Sequence, residues 1–147
     1  MIAPKRIRLQ RAKGWKIPPG TVNVARGPGR MLGNPFVVGR DGTAAECVHA
    51  YALLIAGYID LGHVHVGIDQ QMAVWRYVRK TWAERRGKDV ACWCRLDAVC
   101  HGDVHLAVAA NGFAGGHAYL HTFTSPAPRA RVLIKASHIA KARKAKA

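Results

Sequence analysis

The sequence predicts a small α/β domain of two or three layers over residues 1–125, followed by a basic tail over residues 126–147. Three observations predict it. Extended segments open the chain, two amphipathic helices follow, and a short apolar strand then leads through a loop into a third helix. The chain has 147 residues, half of them hydrophobic, which is enough for one core.

The first forty residues read as strands separated by turns. Residues 6–10 (RIRLQ) and 21–25 (TVNVA) alternate as short strands do. Two glycine–proline turns, at residues 27–29 and 33–35, lie on either side of Arg30. Phe36 then begins an apolar segment that we expect to be buried.

The first helix has a clear start. Thr43 and Glu46 have the spacing of a capping box, in which each side chain binds the other residue's backbone N–H. Apolar residues then recur at helical spacing. They are Val48, Tyr51, Leu54, Ile55 and Tyr58. We expect Gly62 to lie just beyond the end of this helix.

The second helix is predicted to begin at Asp69 as its N-cap and to end at Gly87. Its inward face would carry Met72, Trp75, Val78 and Trp82. Residues 89–94 (DVACWC) suit a buried strand, and residues 103–110 a short helix. This succession of elements favours a Rossmann-like arrangement.

Charge is concentrated at the two ends of the chain. There are 23 basic and 8 acidic residues, a net charge of +15. Residues 1–40 contain nine basic residues and residues 126–147 seven, with no acid in either segment. Such ends would attract a polyanion, so a nucleotide or nucleic acid is the predicted partner. The tail has no aromatic residues between its charges, which argues against base stacking there.

Several classes of protein are excluded by composition. The longest apolar stretch, residues 47–59, is shorter than the ~20 residues that a membrane span needs. The N-terminus has no apolar segment typical of a secretory signal. Three of only four cysteines are clustered, unlike a disulfide scaffold. We therefore expect a reduced, cytoplasmic protein without a membrane partner.

The cysteine cluster is the strongest candidate site. Cys92 and Cys94 would project from one face of the predicted strand, and Cys100 and His101 stand where the next helix starts. A loop of five residues can bring the four together as tetrahedral ligands of zinc or, less favoured, of iron. His105, one helical turn later, is an alternative ligand.

Two other interpretations of the cluster stay open. In the first, Cys100 has a lowered pKa at the helix N-terminus, His101 acts as a base and Asp103 orients it, so that these residues are catalytic without a metal. In the second, the thiols are small hydrophobic side chains packed beside Trp93. Cys47 is predicted to be a packed thiol, or a fourth ligand if the first helix covers the strand end.

A second candidate site lies in the early turn. Arginines and glycine turns can hold phosphate through guanidinium groups and backbone N–H groups. The candidate residues are Arg26, Arg30, Gly33 and Asn34. The alternative is a tight turn that only leads the chain into the core at Phe36.

Together these segments resemble an uncharacterised family of bacteria and their phages, the domain of unknown function DUF4326. The resemblance covers about residues 4–111 and rests on three parts of the chain. They are RIRLQRAKGW at residues 6–15, Gly-Asn-Pro-Phe at 33–36, and Cys92-Trp93-Cys94 followed by Cys100-His101-x-Asp103-Val104. The resemblance implies that the turn and the cysteines are parts of one site. If the fold is Rossmann-like, both line one pocket. This chain departs from the family in its 95–99 loop, which lacks the proline that members often carry there.

Three functions are consistent with these features. The first is an enzyme that processes nucleotides or nucleic acids, with phosphate held by the arginine turn and chemistry at the cysteines. The second is a non-catalytic accessory protein that binds nucleic acid and contains a structural zinc. The third is a phage protein that binds a host protein. Loss of Cys100 or His101 would abolish activity in the first case and stability in the second.

Overall fold

The computed structural model describes residues 3–112 and 142–144. Its central feature is a parallel sheet of three short strands, β1 (Arg6–Arg8), β2 (Thr21–Asn23) and β4 (Asp89–Cys92). The order is β1-β4-β2, so that the strand carrying Cys92 lies between the two N-terminal strands. With three helices around this sheet, the predicted α/β class is confirmed.

The other elements complete this architecture. The helices are α1 (Ala44–Ile55), α2 (Ile68–Thr81) and α3 (Gly102–Asn111), and a 3-10 turn (Trp82–Arg85) follows α2. Strand β3 (Tyr58–Asp60) pairs in antiparallel fashion with β5 (Ala142–Lys144). The boundary predicted at residue 125 lies outside the described residues, as does the predicted tail apart from β5.

The capping box at the start of α1 is confirmed, but the helix is shorter than predicted. Glu46 N donates to Thr43 Oγ1 at 3.2 Å, and Thr43 N donates to Glu46 Oε1 at 3.1 Å. The helix ends at Ile55 because Gly57, at φ +99°, turns the chain. Tyr58 therefore lies in β3, and Gly62 does not mark the helix end.

Helix α2 begins two residues earlier than predicted, with Gly67 rather than Asp69 as its N-cap. The buried side chain of Gln71 explains this start. Its Nε2 donates to Val66 O at 2.8 Å and to Asp60 O at 2.9 Å, and its Oε1 accepts from Asp60 N. These bonds fix the chain just before the helix, which leaves Asp69 within the first turn.

The buried side chains form two groups, and the half-buried Leu32 packs against both. One lies among the three helices and includes Tyr51, Ile55, Val78 and Val108. The other covers the sheet and includes the two cysteines that flank the loop after β4, Cys92 and Cys100. Two of the three clustered cysteines are therefore part of the buried core. Within residues 3–112 and 142–144, no helix is long and apolar enough to cross a membrane.

Candidate metal centre and adjoining pocket

The loop after β4 brings three thiols together. The sulfur atoms of Cys92, Cys94 and Cys100 all lie within 4.8 Å of one another, and those of Cys92 and Cys94 are 3.8 Å apart. A tetrahedral zinc with Zn–S bonds of about 2.3 Å places its sulfurs about 3.8 Å apart. All three thiols are free, and Cys92 and Cys100 are buried. Their spacing therefore suits one side of a zinc coordination shell.

The three thiols also shift one another's pKa values. Hydrogen bonding with Cys100 and Cys94 lowers the pKa of Cys92. The pKa of Cys100 is raised, because the same contacts place a thiolate beside it. Deprotonated sulfur is the form that binds metal. One thiolate is thus already favoured within the cluster.

The loop that closes the cluster is held by a buried arginine, Arg6, which the sequence did not single out. Its guanidinium donates to the carbonyls of four loop residues at 2.8 to 3.4 Å. The acceptors are Cys94, Arg95, Leu96 and Ala98. Its Nε lies 3.3 Å from Asp103 Oδ1, and the side chain is 5% exposed. Arg6 therefore fixes the path of the chain between Cys94 and Cys100.

Asp103 pairs with this arginine. Burial raises the pKa of Asp103, while the charge and hydrogen bond of Arg6 lower it. The side chain of Asp103 accepts a hydrogen bond from Arg6, whereas the ring nitrogens of His101 face Val24 and Cys100. The predicted Asp103–His101 pairing does not occur among these contacts. Asp103 instead anchors Arg6 at the start of α3.

His101 lies at the edge of the thiol cluster. Its Nε2 is 2.6 Å from Val24 O, which as a carbonyl can only accept, so that Nε2 carries the proton. The other nitrogen, Nδ1, is then unprotonated and lies 3.7 Å from Cys100 Sγ. Burial lowers the pKa of His101. Among the described residues, the group within 4.8 Å contains the three sulfurs and not this ring.

His105 lies outside the group of three thiols. Its Nε2 is 2.9 Å from Tyr51 Oη and 2.9 Å from Leu32 O. Nε2 therefore has its partners within the helical core. The geometry does not favour His105 as a replacement for His101 among the metal ligands. Cys47 is also outside this group, and its Sγ lies 3.8 Å from Gly42 O.

The early turn is held by the side chains predicted to bind phosphate. Arg26 donates to Asn34 O at 3.0 Å and to Phe36 O at 3.2 Å. The amide of Asn34 donates to Cys47 O, and its Oδ1 accepts from Phe36 N. Arg30 is exposed at the tip of the turn. These hydrogen bonds define the shape of the turn, and Arg26 donates two of them.

Gly33 is required by a close approach of two backbone segments. A Cβ at this position would lie 2.7 Å from Arg26 Cα. We expect Gly33→Ala to lower the free energy of unfolding by roughly 1–3 kcal/mol, because the backbone must move apart. Urea denaturation measures the change, with Gly62→Ala as the control, since a Cβ there meets only an atom 3.9 Å away. Equal stability of the two variants would contradict this account.

The two candidate sites line a single cavity of about 240 Å³. Arg26, Asn34 and Phe36 contribute from the turn, and the three cysteines of the cluster contribute from β4 and its loop. His101 and Trp93 also line it. Residues some sixty positions apart in the chain thus meet because β2 and β4 are neighbours in the sheet. Arg30 is not among the residues that line this cavity.

These features define a small α/β domain with a three-thiol cluster in the wall of a pocket. The sequence profile of a domain of unknown function, DUF4326, matches residues 7–111, and the chain belongs to that family. The resemblance drawn from the sequence is thereby confirmed. No curated protein and no solved structure matches the chain.

Proposed function

We propose that this domain binds one zinc ion through Cys92, Cys94 and Cys100 and presents it to a nucleotide or nucleic acid in the adjoining pocket. The observation that carries the proposal is that the three sulfurs lie within 4.8 Å of one another and line the cavity. Thiolates favour zinc and iron–sulfur clusters. Iron–sulfur clusters ordinarily need four cysteines, so zinc fits three thiols better.

An open ligand position is the second part of the proposal. Catalytic zinc sites have three protein ligands and leave the fourth position to water or substrate. Here the cavity adjoins the three sulfurs, and Arg26 forms part of its wall. Nine basic residues without an acid in residues 1–40 favour an anionic ligand such as a nucleotide.

A closed zinc site is the alternative, favoured by one specific contact. Nδ1 of His101 is 3.7 Å from Cys100 Sγ, and a fourth ligand on tetrahedral zinc lies about 3.6 Å from each sulfur. Its Nε2 contact with Val24 O is the kind of second bond that orients a ligand histidine. With His101 bound, zinc would be structural and the protein a nucleic-acid-binding accessory protein.

The metal content of the protein tests the proposal. We expect about one zinc per chain in protein purified under reducing conditions without a histidine tag, measured by elemental mass spectrometry. The Cys92→Ser/Cys94→Ser variant should lose it. Cys47→Ser is the matched control, because Cys47 lines the same cavity outside the cluster. Wild-type protein without metal would contradict the proposal.

Replacing His101 separates an open from a closed site. In an open site, His101→Ala retains zinc, and the spectrum of the cobalt-substituted protein changes when a nucleotide is added. In a closed site, the variant loses zinc together with much of its stability, because metal binding and folding are coupled. The cobalt spectrum of the wild type would then not respond to nucleotide.

A further inference from the structure

Trp93 is an exposed aromatic side chain beside the thiol cluster. It stands between Cys92 and Cys94, yet 45% of it is accessible to solvent. It lines the cavity of the cysteines and also a second cavity of about 520 Å³, formed with residues 8–12. One interpretation of the sequence has the thiols packed beside this ring. In the structure it instead separates two open spaces.

The second cavity is basic. Arg8 and Arg11 line it, and the Arg11 guanidinium lies 4.8 Å from the centre of the Trp93 ring. Residues 8–16 also include Lys13 and Lys16 and no acid. Apart from the buried Leu9, the residues from 8 to 14 are exposed. These charges are therefore available to an anion in solvent.

The sheet fixes this surface in place. Arg8 is the register partner of Cys92 in the parallel pair of β1 and β4, and Leu9 N donates to Cys92 O at 2.9 Å. The basic segment thus leaves the sheet directly beside Trp93. A positively charged groove next to an aromatic ring is the combination by which proteins bind unpaired nucleotides.

We propose that Trp93, Arg8 and Arg11 bind single-stranded nucleic acid, with a base stacked on the indole ring and neighbouring phosphates on the arginines. The inference rests on the proposed function for the class of ligand, and it extends that ligand from the thiol pocket onto the next cavity. A single strand fits better than a duplex, because the bases of a duplex are already stacked on one another. It also fits better than a mononucleotide, because the basic residues continue beyond the ring.

Fluorescence anisotropy with three labelled probes tests this binding mode. The probes are a thymidine oligonucleotide, an abasic strand with the same number of phosphates, and a duplex of the same length. We expect the wild type to prefer the thymidine strand. Trp93→Ala should weaken its binding by roughly 5- to 150-fold, as loss of one stacked base does, and leave the abasic strand unaffected. Trp93→Phe should restore part of the affinity.

The arginine variants test the phosphate contact. Arg11→Gln should weaken binding of both single strands and reduce the salt dependence of log K by about 0.7 for each lost contact. Arg79→Gln is the matched control, because Arg79 is also exposed and also lies over a tryptophan, 5.0 Å from the Trp75 ring. Arg79→Gln removes one positive charge at a site away from the thiol pocket. It should change neither the affinity for the single strands nor its salt dependence.

The outcomes separate this inference from the zinc proposal, provided that zinc is measured in every sample. Absence of oligonucleotide binding, equal binding of abasic and thymidine strands, or unchanged affinity of Trp93→Ala would overturn the inference even in a protein that holds zinc. Preference for the duplex would also overturn it. Binding that depends on Trp93 in a protein without zinc would support the inference and contradict the metal site.

Discussion

Arg6→Ala is expected to lower the free energy of unfolding by about 3–5 kcal/mol, as removal of one partner from a buried ion pair does. The guanidinium donates to four loop carbonyls and to Asp103, and only 5% of the side chain is exposed. Alanine leaves these acceptors without their donor in a site that excludes most water. It also leaves the Asp103 carboxylate buried without its cation.

The same change should weaken metal binding, because the loop sets the distance between Cys94 and Cys100. Loss of a supporting contact around metal ligands typically reduces affinity by about 10- to 100-fold. Arg6→Lys should retain the charge but restore little of the loop, since an ammonium cannot reach several carbonyls in the plane of a guanidinium.

Urea denaturation and zinc titration measure the two effects, with Arg8→Ala as the control. Arg8 follows two residues later in β1 but is exposed, so its loss should change the free energy of unfolding by no more than about 0.5 kcal/mol. Equal urea midpoints for Arg6→Ala and Arg8→Ala would show that the loop keeps its conformation without Arg6.

Arg6 also illustrates what the sequence could not reveal. Alternation in residues 6–10 predicted the strand, but a charged residue at its start is ordinarily taken to face solvent. The carbonyl acceptors that make its burial favourable belong to a loop about ninety positions away. Such a contact depends on which strands are neighbours, and local patterns do not specify the strand order.

Short-range signals were more informative. Thr43 and Glu46 marked the start of α1 because both halves of a capping box lie within one helical turn. The three clustered cysteines were found because they are close in sequence, at the end of a strand and on either side of a five-residue loop. The helix end was missed because several glycines could have ended it, and Gly57 rather than Gly62 has the required positive φ.

The shared pocket could be predicted only in part. Each of its motifs was visible in the sequence, and the family resemblance suggested that they belong together. Their meeting depends on the pairing of β2 with β4, through contacts such as Val22 with Val90. The position of Trp93 depends on the same arrangement, because the residue follows the end of the central strand β4 and lines both cavities.

The stability of the protein is expected to fall as the pH drops below about 6.5, the ordinary pKa of histidine, and His105 is one source of this loss. Its ring is buried, with Nε2 bonded to Tyr51 and Leu32, while Nδ1 is buried with no hydrogen-bond partner. Burial, together with the nearby His101 and Arg85, lowers the pKa of His105 well below its usual value.

The direction of this pH dependence follows from the uptake of a proton on unfolding. Between the lowered pKa of the folded state and about 6.5, the unfolded chain binds a proton at His105 that the folded chain does not. Each pH unit in that window therefore removes about 1.4 kcal/mol of stability, and the full stability is present above it. The lowered pKa of His101 acts in the same direction, so the wild-type slope should exceed that of one group.

His105→Gln tests this account, since glutamine stays neutral and can still donate to Leu32 O. Urea denaturation at several pH values should show its slope reduced by about 1.4 kcal/mol per pH unit relative to the wild type, although its stability at neutral pH is lower. His65→Gln, at an exposed position, should leave the slope unchanged. If both variants keep the wild-type slope, the folded protein protonates His105 as readily as the unfolded chain, and the core around Tyr51 must then open to water at mildly acidic pH.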